Sequence, residues 1–142
     1  MAEENSIRIR LVTPEKIFID GTADAVSLPA RSGYLEVLYG HAPLLTELGA
    51  GEVTLHGGDT GEQQFFVAWG FAEVLPDRVT ILAENAVQPN EIDVANAREQ
   101  LEQGNRMWNE AGDEIARYSE ANLVIHEAEE RIAAAESAGK SA

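Results

Sequence analysis

The chain has 142 residues, with 10 Lys+Arg against 25 Asp+Glu and a formal net charge of −15. Hydrophobic residues make up 44% and charged residues 25%, the composition of one globular domain or two small ones rather than of a disordered chain. The absence of cysteine excludes disulfide scaffolds, thiolate zinc sites, iron–sulfur clusters and cysteine nucleophiles, and ten scattered bases make no cationic stripe for nucleic acid or for direct lipid anchoring.

Up to about Glu84 the apolar residues recur at every second position. Ile7, Ile9 and Leu11 put three aliphatics on one face of a first strand. Ile17 and Ile19 repeat the pattern before Asp20-Gly21, a turn signal that predicts a hairpin. Further short runs cover 23–28, 34–38, 44–48, 52–56, 64–69, 71–75 and 79–83. Between them stand turn residues, among them Pro29, Gly33, Gly40, Pro43, Gly49-Ala50-Gly51, Gly57–Gly61 and Pro76-Asp77. Eight or nine short strands with no helical pattern between them predict an antiparallel β-sandwich over residues 1–86. Gly70 is expected to permit a bulge and Phe71 to enter the core.

From Ile92 the period changes to three and four. Asp93 can cap a helix whose stripe is Val94, Ala97, Leu101, Gly104, Trp108 and Ala111, with Gly104 marking a bend or break. Gly112-Asp113 punctuates. A second stripe follows with Ile115, Tyr118, Asn122, Ile125, Ala128 or Glu129, Ile132 and Ala135. Residues 87–142 therefore read as an antiparallel two-helix hairpin, with a tail over 137–142 that frays. Stripes so poor in large aliphatics bury little surface, so the hairpin is weakly held and able to move.

No residue set has the spacing of an active site or a metal site. His41, His56 and His126 lack a second ligand at helix or hairpin spacing, and Gly57–Gly61 is a hairpin loop without a phosphate-binding lysine. His41 is expected to satisfy backbone groups within its own turn. Two readings of the residues are a stand-alone binding module with an aromatic strip (Trp69, Phe71, Phe65 or Phe66) and an acid/base enzyme using His56, Asp59 and Glu62. The longest apolar run is far short of the ~20 residues that span a bilayer. The opening MAEENSIRIRLV lacks the basic and apolar regions of a signal peptide.

The run Gly40-His41-Ala42-Pro43-Leu44-Leu45-Thr46, preceded by Gly33 and followed by Leu48 and Gly51, closely resembles the signature of the epsilon subunits of F-type ATP synthases. Gly70-Phe71-x-Glu73-Val74, Val79-Thr80-Ile81-Leu82-Ala83-Glu84 and Ile92-Asp93 continue the resemblance from about Ile7 to Ala97. It implies a non-catalytic rotor subunit without a cofactor. The sandwich would sit at the foot of the central stalk, bind the gamma subunit and touch the c-ring. The hairpin would fold back or extend along gamma toward the alpha/beta catalytic head. The implied place is the cytoplasmic face of the bacterial plasma membrane, peripheral through the complex, or the stromal thylakoid face if organelle-encoded. Candidate partner contacts are Arg31, Ser32, Gly33, Tyr34, Tyr39, His41, Ala42, Pro43 and Leu44.

Three departures qualify the implication. Glu36 stands where the family often has a second glycine after Gly33, with Tyr34 near the ring contact. In the nucleotide-binding motif of some members only Asp93 matches, and Asn96 replaces the arginine. Arg98 is about 200° further around the helix, so ATP binding is not expected. Residues 111–142 carry Arg117, Arg131 and Lys140 against seven acids, a net of −4 that opposes docking on an acidic head. Inhibition of ATP hydrolysis is therefore expected to be weak, acting through few contacts such as Arg117 and Arg131.

Overall fold

The computed structural model describes residues 5–139; the acidic start of the chain and the last half of the tail expected to fray, Lys140 included, lie outside them. Residues up to Val87 form one compact unit and those from Gln88 a second.

The first unit is a seven-stranded sheet: β1 (Ile7–Val12), β2 (Ile17–Ala23), β3 (Ala25–Ala30), β4 (Gly33–Leu38), β5 (Leu44–His56), β6 (Gln63–Leu75) and β7 (Arg78–Val87), in the order β2-β1-β7-β6-β5-β3-β4. All neighbours pair antiparallel except β1 and β7, which run parallel. The expected sandwich is present, built from fewer and longer strands than the turn signals predict. Gly49-Ala50-Gly51 and Trp69-Gly70 do not end strands: β5 and β6 each run 13 residues through them.

What changes at these points is the face that points inward. Phe65 and Val67 of β6 lie in the core, and beyond Gly70 the core residues are Ala72 and Val74. Along β5 the buried set shifts in the same way, from Leu48 to Val53 and Leu55. The β5–β6 pairing keeps one register from Leu44↔Val74 to Leu55↔Gln63, so no residue is inserted. The long strands instead turn over and serve both layers, which closes one sheet onto itself around Ile7, Ile9, Leu11, Val26, Leu28, Val79 and Ile81.

This inversion corrects two expectations. Gly70 makes no bulge by register; it takes φ +121°, after Trp69 at φ +63°, because the chain passes too close to the Leu82 carbonyl for any side chain. Phe71, placed one step beyond the inversion, leaves the core and is 52% exposed.

The hairpin expected at Asp20-Gly21 does not form, and the first turn of the sandwich is the one between β1 and β2. It lies at Thr13–Lys16, where the Thr13 N–H donates to the Lys16 carbonyl (2.9 Å) and Lys16 N–H donates back to Thr13 Oγ1 (3.3 Å). Asp20-Gly21 sits inside β2, with Gly21 opposite Ile9. Pro14, which cannot donate to a ladder, sits in the β1–β2 turn, while Asp20 and Gly21 stay paired with Arg10 and Ile9. The loop between β5 and β6 then buckles over β2. Thr22 N–H donates to Asp59 Oδ1 (2.6 Å), and Asp59 N–H donates to Thr22 Oγ1 (3.0 Å). These bonds hold the Asp59 carboxyl below its ordinary value of 3.8.

In the second unit a single turn at Pro89–Glu91 precedes α1 (Val94–Asn109) and α2 (Ile115–Ser137). Asp93 caps α1 as expected, accepting the Asn96 N–H at 3.0 Å. The seam between the helices is small residues: Ala97 and Gly104 of α1, Ala111 just past its end, and Ala121, Ala128 and Ala135 of α2. Both sets repeat every seven residues. The α2 seam is thus set one residue away from the expected stripe at its start: Ala121 is buried where Asn122 was expected, and Ile115 is 81% exposed. Gly104 does not break α1. It is a point of close approach, where a Cβ would stand 2.7 Å from Ile125 Cγ1 and 3.2 Å from the Ile125 nitrogen.

Candidate docking surface on the sandwich

The strand inversion has a consequence on the outer face. Phe71 and Leu82 are cross-strand partners, and both turn outward, 52% and 53% exposed. With Val12, Thr13 and Pro14 on one side and Arg31, Glu47 and Trp69 on the other, they line a groove of about 560 Å³. Its floor is Leu48, Gly70 and Ala83. Gly70 thus shapes it directly, because the absent side chain leaves the backbone bare. Arg31 is fixed at the rim: its N–H donates to the Glu47 carbonyl (2.9 Å), its Nη1 lies 3.4 Å from Glu47 Oε2, and its guanidinium stands 5.9 Å from the Trp69 ring. An open groove with an apolar lining and a fixed cation at its rim is a surface for a protein side chain rather than for chemistry.

The predicted contact residues are exposed in part and fall into two groups rather than one. Arg31, Ser32, Gly33 and Tyr34 form the β3–β4 turn and the start of β4, with Arg31 on the groove. Tyr39, His41, Ala42, Pro43 and Leu44 lie past the other end of β4. Tyr34 is already engaged: its hydroxyl accepts the Glu52 N–H at 3.0 Å. The β3–β5 ladder is irregular between Ser27 and Ala30, where Pro29 has no N–H to offer, and the phenol reaches this gap. Tyr39, beside Leu38, is half-exposed. His41 does satisfy its own turn, with Nδ1–H donating to the Ala42 carbonyl at 2.7 Å and its backbone N–H to Leu38. Gly40 N–H, donating to Pro76 at 2.7 Å, ties this turn to the β6–β7 hairpin.

The catalytic rival finds no assembled site. His56 Nδ1 meets Glu62 at 2.9 Å on an exposed surface, while Asp59 is turned away onto Thr22. Among the described residues no group of three or more His, Asp or Glu is placed to hold a metal. The aromatic-strip rival loses its third ring, since Phe65 and Phe66 are buried, while Trp69 and Phe71 stay together on the groove.

On the hairpin, Arg131 Nη1 donates to Asn96 Oδ1 (3.1 Å) and Gln100 Oε1 (2.9 Å), so the residue that replaces the motif arginine is an acceptor for the opposite helix. Arg117 pairs with Glu114 one turn away (2.9 Å), and Arg98 is exposed. Sequence reasoning missed the outward pair Phe71–Leu82 and the groove they line. The only sequence signal was the Trp-Gly dipeptide inside an otherwise regular strand.

The chain joins a β-sandwich to a helical hairpin, and the comparisons place this architecture in a family. Residues 6–89 match the family described as ATP synthase, Delta/Epsilon chain, beta-sandwich domain. The ATP synthase epsilon chain of Koribacter versatilis is 45% identical over 78% of this chain and 77% of its own length. That of Moorella thermoacetica is 39% identical over 92% of this chain and 96% of its own. A chain in the cryo-EM structure of the Euglena gracilis mitochondrial ATP synthase, OSCP/F1/c-ring, superposes with a TM-score of 0.76 at 23% identity, covering 92% of this chain and 81% of that one. The chain belongs to the ATP synthase epsilon family. No helix among the described residues is long and apolar enough to cross a membrane.

Proposed function

We propose that this chain is a non-catalytic rotor subunit of the central stalk. It couples ion flow through the membrane sector to ATP synthesis in the catalytic head, and binds the gamma subunit and the c-ring through its sandwich. It would work at the cytoplasmic face of the bacterial plasma membrane. The observation that carries this reading is the groove around Phe71 and Leu82: two large apolar side chains facing outward from paired strands, beside a fixed arginine, need a partner to cover them. The test is association of the full-length chain with ATP synthase stripped of its own copy. Phe71→Ser with Leu82→Ser should weaken binding by about a hundredfold, as expected for loss of two buried anchors. Unchanged affinity would remove the groove from the interface.

The hairpin is a mobile regulatory element that reaches the alpha/beta head when extended, with weak effect. Arg131 is occupied within the hairpin and Arg117 by Glu114, which leaves few cations for an acidic head. Deleting residues 89–142 should therefore change ATP hydrolysis by the assembled enzyme by less than about twofold, within what screened surface contacts supply. A severalfold rise would show that the hairpin is a strong brake.

A further inference from the structure

The sandwich carries a second surface feature that the groove does not explain. Outward positions along β1 are Arg8, Arg10 and Val12, and their parallel partners on β7 are Arg78, Thr80 and Leu82. Arg8 and Arg78 thus stand directly opposite one another, with Arg10 on the next row. The three line a cleft of about 220 Å³ with Ile9, Asp20 and Thr80. They are three of only five bases in residues 1–88, against 13 acids. Opposed like charges on neighbouring strands are unfavourable, and with so many carboxylates in this unit the fold could neutralise them. It supplies one ion pair, Arg8 with Asp20 at 3.3 Å; Arg10 and Arg78 have no ion pair among the described residues.

The patch is also continuous with the groove. Val12 and Leu82 belong to the groove, and Arg10 and Thr80 are the next outward residues along the same strands, about 7 Å away. Resting on the proposed function, we infer that Arg8, Arg10 and Arg78 receive an acidic segment of the neighbouring stalk protein, whose carboxylates flank the apolar residue seated between Phe71 and Leu82. A partner so built meets a basic patch on a chain that is otherwise strongly acidic. The arginines therefore select the docking orientation and speed the encounter, while the groove sets how long the complex lasts.

The experiment follows association rates of the full-length chain with the stripped complex from roughly 50 to 300 mM NaCl, a range over which screening tightens markedly. Arg10→Glu with Arg78→Glu should slow association about tenfold at the low end and flatten its salt dependence. Arg10→Gln with Arg78→Gln, which adds no new charge, should fall between, with thermal midpoints like that of the parent. Vesicles rich in phosphatidylglycerol should not bind the parent chain. If the reversed variant associates at the parent rate with the parent salt dependence, the inference fails and the rotor reading stands. If the parent itself does not associate, the rotor reading fails. Binding of anionic vesicles that the reversal abolishes would assign the patch to lipid and overturn the proposal.

Discussion

Gly70→Ala should lower the stability of the sandwich by about 2–4 kcal/mol, a larger effect than removing any single hydrogen bond described above. Two independent terms add. An L-residue at φ +121° is strained by about 1–3 kcal/mol. The new methyl also meets the Leu82 carbonyl of a paired strand, which cannot move without pulling β7 from β6. For a unit of this size the thermal midpoint should fall by roughly 10–25 °C. Thermal unfolding of the full chain, followed by far-UV circular dichroism of the β signal, measures this. A midpoint within about 3 °C of the parent would mean that the strand inversion at Trp69-Gly70 tolerates a side chain, contrary to the geometry. The same variant should lose partner binding, because Gly70 is part of the groove floor.

The sandwich and the hairpin were legible because hydrophobic period is a local property: Ile7, Ile9 and Leu11 announce a strand wherever its partners lie. The inversions were not legible for the opposite reason. Gly49-Ala50-Gly51 carries the chemistry of a turn, and only the pairing of β5 with both β3 and β6 shows that the chain continues through it. Trp69 is a poor turn former, so apart from the glycine that follows it nothing in the sequence marks its positive φ, which accompanies the layer change. Alternation carried across that break puts Phe71 in the core, and the layer change puts it outside. The docking patch was hidden by distance along the chain, since Arg8 and Arg78 meet only through a parallel pair that no hairpin predicts. In contrast, His41 was readable, because a histidine between Gly40 and Pro43 has its own turn as its nearest source of backbone partners.

The hairpin offers the second large effect. Gly104 costs about 1 kcal/mol in a helix interior relative to Ala, and the seam explains why it is there. With Ala97 above it and Ala128 and Ala121 on the facing helix, it lets α1 lie against the Ile125 backbone. Gly104→Ala gains that helix propensity but forces a methyl into Ile125, and overpacking of about 1–3 kcal/mol outweighs the gain. Gly104→Leu has no compensating room and should separate the helices. Separation breaks what else joins them: the edge-to-face contact of Trp108 with Tyr118 (centroids 4.7 Å apart) and the Arg131 bonds to Asn96 and Gln100. A two-helix unit whose buried residues are mostly alanine has little to lose before it melts. Amide hydrogen exchange on the full chain should therefore show protection of α1 and α2 reduced by about a hundredfold or more in Gly104→Leu, with the strands unchanged. Helix protection equal to the parent's would mean that packing at Gly104 is not what holds the hairpin closed. The thin seam is also what a mobile element requires, since few contacts must be undone for the helices to exchange one partner surface for another.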